Sequence, residues 1–251
     1  MGVYLIIRSI AQLRRVLNAA RRCGQTIGFV PTMGYFHDGH LGLMRRAKKD
    51  NDLCVVSIYV NPKQFAPHED FRRYPKDLRR DLALARKEKV DIIFLPSDNV
   101  IYPKGYLTTI DVEKLSRALC GKFRPGHFKG VATVVAKLLN IVQPHVLYLG
   151  QKDAQQAVVL KTMVRDLDLP VAVRVVPTVR EKSGLAMSSR NVYLSADQRC
   201  RAAVLYRALK FSKARISAGE RSAGSIVRSM TQMIRRQSGA KIQYVACVDA
   251  L

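Results

Sequence analysis

Along the chain, short apolar runs alternate with stretches in which apolar residues recur every three or four positions. The runs at 26–30, 53–60, 91–95, 146–149 and 171–176 are almost unbroken in Val, Ile, Leu and Phe, as strands covered on both faces are. Between them, 40–50, 78–89, 129–142 and 154–166 keep helical spacing. In 40–50, Leu41, Leu43, Met44 and Ala47 share one side, and Arg45, Arg46, Lys48 and Lys49 the other. This alternation predicts an α/β architecture, a parallel sheet with helices on both faces. Ligands on such sheets bind beyond the C-terminal strand ends, which is where the polar clusters of this chain fall.

After Pro177 the pattern changes. Two helical stretches, 195–217 and 223–237, precede a single strand-like run, 242–248. A small α+β domain over 179–251 is therefore expected behind a hinge near Thr178, following a larger domain over 1–178. With 251 residues, 48% of them hydrophobic, the chain is long enough to bury a core in each.

A net charge of +24, from 43 Lys and Arg against 19 Asp and Glu, raises nucleic acid as a partner. The basic doublets are scattered over the whole chain, however, and there is no tryptophan and no aromatic pattern of the kind that stacks bases. A basic surface that draws in small anions fits better. The five cysteines are odd in number and far apart, without metal or disulfide spacing, which points to a reducing compartment. The apolar stretch 3–7 is cut short by Arg8, and Ile6 stands where myristoylation at Gly2 needs Ser or Thr. No run approaches the ~20 apolar residues of a membrane span. The expectation is a cytoplasmic enzyme with small-molecule partners and neither membrane nor nucleic acid among them.

The segment Pro31-Thr32-Met33-Gly34-Tyr35-Phe36-His37-Asp38-Gly39-His40 joins a strand to a helix and carries two histidines three apart. A helix starting near Gly39 aims free backbone N–H groups and a partial positive charge at whatever lies over the turn. His37 and His40 flank that spot, so an anion, above all a phosphate, is the fitting ligand. No second pair stands at zinc-ligand spacing, no Lys-Ser/Thr follows as in a Walker loop, and no G-x-G-x-x-G occurs.

Three further clusters lie at strand ends or past the hinge. Asn61 and Gln64 in Asn61-Pro62-Lys63-Gln64 are neutral amides, able to hold hydroxyls and a carboxylate without quenching its nucleophilicity. In Gly150-Gln151-Lys152-Asp153-Ala154-Gln155-Gln156, Lys152 suits a phosphate, and Asp153 either accepts from ribose hydroxyls or caps the following helix. Met187-Ser188-Ser189-Arg190 offers two hydroxyls and a guanidinium to triphosphate oxygens.

Taken in order, Pro-Thr-Met-Gly-x-x-His-Asp-Gly-His, Val-Asn-Pro-x-Gln-Phe, Arg-Pro-Gly-His-Phe, Gly-x-Lys-Asp-x-Gln-Gln and Ser-Ser-Arg-Asn make the chain, from about residue 26 to 198, resemble the pantothenate synthetase (pantoate–β-alanine ligase) family. The resemblance implies a Rossmann-like nucleotidyltransferase fold, akin to class I aminoacyl-tRNA synthetases. It implies ATP-dependent joining of pantoate to β-alanine through a pantoyl-adenylate, with Mg²⁺ on the phosphates, in a homodimer. His37, His40, Lys152, Ser188, Ser189 and Arg190 then carry the catalysis. Met33, Gly34, Gly150, Gln151, Asp153, Val179 and Met187 join them in holding ATP, while Asn61, Gln64 and Gln156 hold the acid. Metal ligands stay unassigned: Asp77 and Asp81 read equally well as metal neighbours or as solvated helix carboxylates, and His127 as a substrate-side group or as an ordering element for its helix. Two departures stand out. The family's second domain continues past the point where this chain stops, so 179–251 reads as a shortened lid, and the high positive charge is unusual. The rival readings are a related nucleotidyltransferase that activates another acid or acts on a phosphate, and a basic RNA-binding module.

Overall fold

A computed structural model of the chain describes residues 4–249; Gly2 and Val3, and Ala250 and Leu251 after the last strand-like run, lie outside the described residues. The chain divides into two compact units, Met1–Pro177 and Thr178–Leu251.

In the first unit, β1 (Leu5–Ile7), β2 (Ile27–Thr32), β3 (Leu53–Ile58), β4 (Ile92–Phe94), β5 (Val146–Gly150) and β6 (Ala172–Val176) form one sheet in the order β1-β4-β3-β2-β5-β6. Every pairing is parallel. The crossovers carry α1 (Ile10–Arg22), α2 (Asp38–Asp50), α3 (Leu78–Lys87), the short α4 (Asp98–Ile101) and α5 (Cys120–Phe123), α6 (His127–Val142) and α7 (Ala154–Asp166). Successive strand side chains face opposite ways. Ile27, Phe29, Val55, Phe94, Leu147 and Leu149 therefore join one core with residues of α1, α6 and α7. Val30, Cys54, Val56, Ile93 and Tyr148 join the other, against Met44, Ala47 and Ala85 of α2 and α3. Each fully buried large apolar side chain contributes roughly 1.5–3 kcal/mol through removal from water.

Besides the one-turn helices α4 and α5 and the 3₁₀ turns, two elements went unread in the sequence: β1, a three-residue edge strand paired with β4, and α1. The signal for α1 is present, in Ser9 as N-cap accepting the Gln12 N–H at 3.3 Å and in the buried Leu13, Leu17 and Ala20. The strand read as stopping before Pro31 runs on to Thr32. Thr32 directs its carbonyl at Tyr59 on the β3 side, so Pro31 faces the other side. There the β5 ladder has already ended at Phe29, and a missing N–H leaves no partner unsatisfied.

The second unit carries a 3₁₀ turn (Ser189–Tyr193), α8 (Ala196–Ala202), α9 (Val204–Ser217) and α10 (Ala223–Arg235). The helix read over 195–217 is broken at Ala203. The strand read over 242–248 does not form; that segment is irregular and mostly exposed. No strand lies beside it among the described residues, and a lone strand leaves its ladder groups unpaired. Ile242 and Val245 still pack partly against Val204, Ala208 and Ile234.

Candidate active site

The sheet order reverses between β2 and β5: from β2 the chain steps outward to β3, then returns to place β5 on the other side. In open parallel sheets the crevice beyond such a switch point is the ligand site. Two of the sequence clusters sit there, 33–40 after β2 and 150–156 after β5, with 61–64 just past β3.

After β2 the backbone turns sharply. Gly34 has φ +81° and Tyr35 φ +50°. Asp81 of α3, 1% exposed, holds this turn with both carboxylate oxygens: Oδ2 accepts the Tyr35 N–H and Oδ1 the Phe36 N–H, each at 2.7 Å. Burial raises the Asp81 pKa, and the two N–H bonds oppose that rise. A side chain at Gly34 would stand 3.0 Å from Asp81 Oδ2, so the close approach of the carboxylate needs glycine there. Of the carboxylates considered as metal neighbours, Asp81 thus braces the turn, while Asp77 caps α3 by accepting the Arg80 N–H at 3.0 Å.

His37 is the N-cap of α2. Its Nδ1 accepts the Gly39 N–H at 3.1 Å, and His40 Nδ1 accepts the His37 N–H at 3.3 Å. The two rings lie 4.0 Å apart. With Nδ1 accepting in both, each neutral ring carries its proton on Nε2. Burial, then the nearby Lys152 charge, lowers His37 to about 4; Asp38 and Asp153 pull weakly the other way. His40 is held well below its usual value by burial, by His37 and by Lys152. At neutral pH the pair is uncharged and presents N–H donors beside the positive end of α2.

Past β3, Asn61 is buried and tied in place. Its Nδ2 donates to Gly130 O and to Gln64 Oε1, both at 3.2 Å, and its Oδ1 accepts from the Tyr102 hydroxyl at 3.0 Å. Gln64 Nε2 donates to the Met33 sulfur at 3.2 Å. Thioether sulfur is a weak acceptor, so this amide stays available to a better one while touching the turn that leads to His37.

Beyond β5, Lys152 pairs with Asp153 at 2.9 Å. Asp153 stands at the N-cap of α7 without any side-chain cap bond, so the capping role open to it in the sequence is not taken. Gln156, in the first turn of α7, is half-buried and its side chain makes no hydrogen bond among the described residues. Its neighbour Gln155 is structural: it accepts the Cys120 N–H and donates to the carbonyls of Leu115 and Ala118. Among the described residues there is no group of three or more His, Cys, Asp or Glu placed to hold a metal ion.

Residues 5–251 match the family model described as pantoate-beta-alanine ligase. This chain belongs to that family. It is 51% identical over 245 residues to pantothenate synthetase from Caldicellulosiruptor bescii, covering 98% of this chain and 87% of that protein. It is 54% identical over 241 residues to pantothenate synthetase from Pelotomaculum thermopropionicum, covering 96% and 86%. Its structure is similar to a crystal structure of pantothenate synthetase from Thermus thermophilus (TM-score 0.93, 46% identity, 98% of this chain and 87% of that one). It is also similar to pantoate-beta-alanine ligase from Francisella tularensis complexed with beta-gamma ATP and beta-alanine (TM-score 0.84, 37% identity, 98% and 90%).

The remaining positions singled out by the pantoate–β-alanine ligase resemblance lie in the second unit. Val179 and Met187 meet across a tight hairpin: Met187 N–H donates to Val179 O at 3.0 Å, beside an antiparallel bridge between Arg180 and Ala186. Gly184, at φ +93°, turns that hairpin. Ser188 caps the following 3₁₀ turn by accepting the Arg190 N–H at 3.3 Å, and Ser189 is buried. Among the described residues no helix is long and apolar enough to cross a membrane.

Proposed function

We propose that this enzyme joins pantoate to β-alanine at the expense of ATP, through a pantoyl-adenylate whose formation releases pyrophosphate and whose reaction with β-alanine releases AMP. The observation that carries the reading is the contact between Gln64 Nε2 and Met33 Sδ at 3.2 Å. It sets a neutral acid-holding amide directly against the turn whose next elements are the His37–His40 pair. A phosphate acceptor would call for cations where Gln64 and Gln156 stand; neutral amides suit a carboxylate that must stay nucleophilic.

In this reading the pantoate carboxylate, oriented by Gln64, Gln156 and Asn61, attacks the α-phosphorus in line with departing pyrophosphate. Phosphoryl chemistry of this kind is mostly positioning and charge stabilisation. His37 and His40 donate from Nε2 to phosphate oxygens, and Lys152 exchanges Asp153 for phosphate. Gly150, Gln151 and Asp153 line the ribose, and Met33 and Gly34 run along the nucleotide. From the second domain, Val179 and Met187 take the adenine, and Ser188, Ser189 and Arg190 the triphosphate. A Mg²⁺ ion would be held by the nucleotide phosphates and by water, which it gives up reluctantly, and would supply positive charge there. The β-alanine amine then attacks the acyl carbon, loses a proton, and expels AMP. The reading places the enzyme in the cytoplasm as a homodimer.

ATP–pyrophosphate exchange without β-alanine tests it. Exchange that requires pantoate, with AMP appearing once β-alanine is added, is expected; exchange supported by a different acid but not by pantoate would replace this reading by that of a related acid-activating enzyme.

A further inference from the structure

We propose that His127 is a positioning residue for the acid site, acting on Gln64 through its backbone carbonyl in a ring tautomer that Arg124 imposes. The inference rests on the reading of Gln64 as a pantoate residue. His127 opens α6, directly after Gly126, whose φ of +80° turns the chain into the helix. Its Nδ1 lies 2.8 Å from Gln64 O, and its Nε2 lies 3.0 Å from Arg124 Nη1. Arginine only donates and a carbonyl only accepts. Nε2 is therefore the acceptor, and the ring proton sits on Nδ1 and is donated to Gln64.

Arg124 is itself fixed. Its Nε and Nη2 form a two-pronged pair with the Glu69 carboxylate at 2.7 and 2.6 Å, the geometry that gives such pairs directional strength. The chain of bonds Glu69–Arg124–His127–Gln64 thus carries the orientation of one ion pair to the acid loop. The loop is held from a second point as well. Gly130, one turn along α6, accepts from Asn61, and a side chain there would meet Lys63 O at 2.2 Å. The first turn of α6 is in effect the bed on which residues 61–64 lie. Both ring nitrogens of His127 are engaged within the protein, so it sets where the Gln64 amide stands rather than binding the acid.

The experiment compares wild type with His127→Asn, His127→Gln and His127→Ala. Pantoate-dependent ATP–pyrophosphate exchange is read as separate KM values for pantoate and ATP, alongside thermal melts. The asparagine amide nitrogen occupies the place of Nδ1 and keeps the bond to Gln64, whereas glutamine reaches the place of Nε2 and keeps only the Arg124 side. Expected are a pantoate KM raised about tenfold or more in the Ala and Gln variants, the loss of one well-placed hydrogen bond, an ATP KM moved less than about twofold, and recovery in the Asn variant. Unchanged pantoate KM in folded Gln or Ala variants, equal rises for both substrates, or no advantage of Asn over Gln would overturn the inference. Ring ¹⁵N NMR of the wild type decides the tautomer without turnover, and a proton on Nε2 would overturn it too. Wild-type protein that shows no pantoate-dependent exchange would instead overturn the acid-site reading, and this inference with it.

Discussion

His40 accepts the backbone N–H of His37 through Nδ1 at 3.3 Å. The bond ties the two rings to one helix start and fixes which nitrogen of His40 carries the proton. His37 does the same against Gly39. Each histidine therefore uses Nδ1 at the start of α2, and in the proposed function its Nε2–H is the donor left for a phosphate. Helix capping and anion binding compete for one short polar side chain in most N-caps; in the proposed function a ring divides them.

That division separates two variants at one position. His37→Asn keeps an acceptor where Nδ1 stands and is itself a good N-cap, but has nothing at Nε2. It should melt within a few degrees of wild type and lose adenylate formation by about 10²-fold or more, the scale of one removed donor to developing charge. His37→Ala should lose as much activity and also about 1 kcal/mol of stability through the lost cap. Exchange kinetics and melting curves check both, and an active Asn variant would remove His37 from the chemistry.

The same burial gives a pH dependence with a definite sign. His37 is lowered to about 4 and burial holds His40 well below its usual value too, whereas unfolded histidine titrates near 6.5. Between those values the unfolded chain binds more protons than the folded one, so stability is complete above pH about 6.5 and is lost as pH falls toward 4. Each histidine contributes at most about 1.4 kcal/mol per pH unit in that window. Melting temperatures recorded from pH 7 to 4.5 should fall more steeply for wild type than for His40→Asn, which keeps an acceptor near Nδ1 but cannot titrate. Parallel curves would show that the ring is not held neutral.

Much of the fold was legible in the sequence. Unbroken apolar runs exposed five of the six strands, because parallel strands buried on both faces read that way, and period-3.6 patterning exposed the longer helices around the crevice. The strand over 242–248 was misread for the same reason: a β-rich run says nothing about whether a neighbour exists to pair with it. What stayed invisible were bonds spanning long stretches of chain. Nothing near Gln64 announces that His127, 63 positions on, holds its carbonyl, nor that Asp81 reaches back 46 positions to the Tyr35 N–H. Gln155 received no role from the sequence, and only packing shows its side chain tied to the 115–120 loop while that of Gln156 makes no bond among the described residues.

Asp81 supports a prediction of its own. Its two oxygens each accept a different backbone N–H, from Tyr35 and Phe36. Asparagine keeps the shape but sets an NH₂ against one of those donors, leaving a buried N–H facing another donor. Asp81→Asn should cost about 1–3 kcal/mol and loosen the turn that delivers His37, lowering the exchange rate while leaving pantoate affinity nearly unchanged. Urea unfolding together with exchange kinetics checks both halves. A rise in pantoate KM alone would place the effect elsewhere.

Gly130 tests the bed beneath residues 61–64, the proposed acid loop, from the opposite side. Its missing side chain is what lets α6 approach so closely: an added Cβ would lie 2.2 Å from Lys63 O, 2.5 Å from Lys63 C and 2.8 Å from Gln64 Cα. All three are backbone atoms, so no rotamer change relieves the clash, and either the helix or the loop must move. Alanine is otherwise favoured over glycine inside a helix by about 1 kcal/mol, so propensity alone predicts that Gly130→Ala stabilises. Overpacking of this kind costs about 1–3 kcal/mol, which outweighs that gain. The variant should melt below wild type, and its pantoate KM should rise while its ATP KM holds, because the displaced atoms belong to Lys63 and Gln64 and not to the turn after β2. An Ala variant that is more stable with unchanged pantoate KM would show that the loop yields freely, and that residues 61–64 are not fixed by α6.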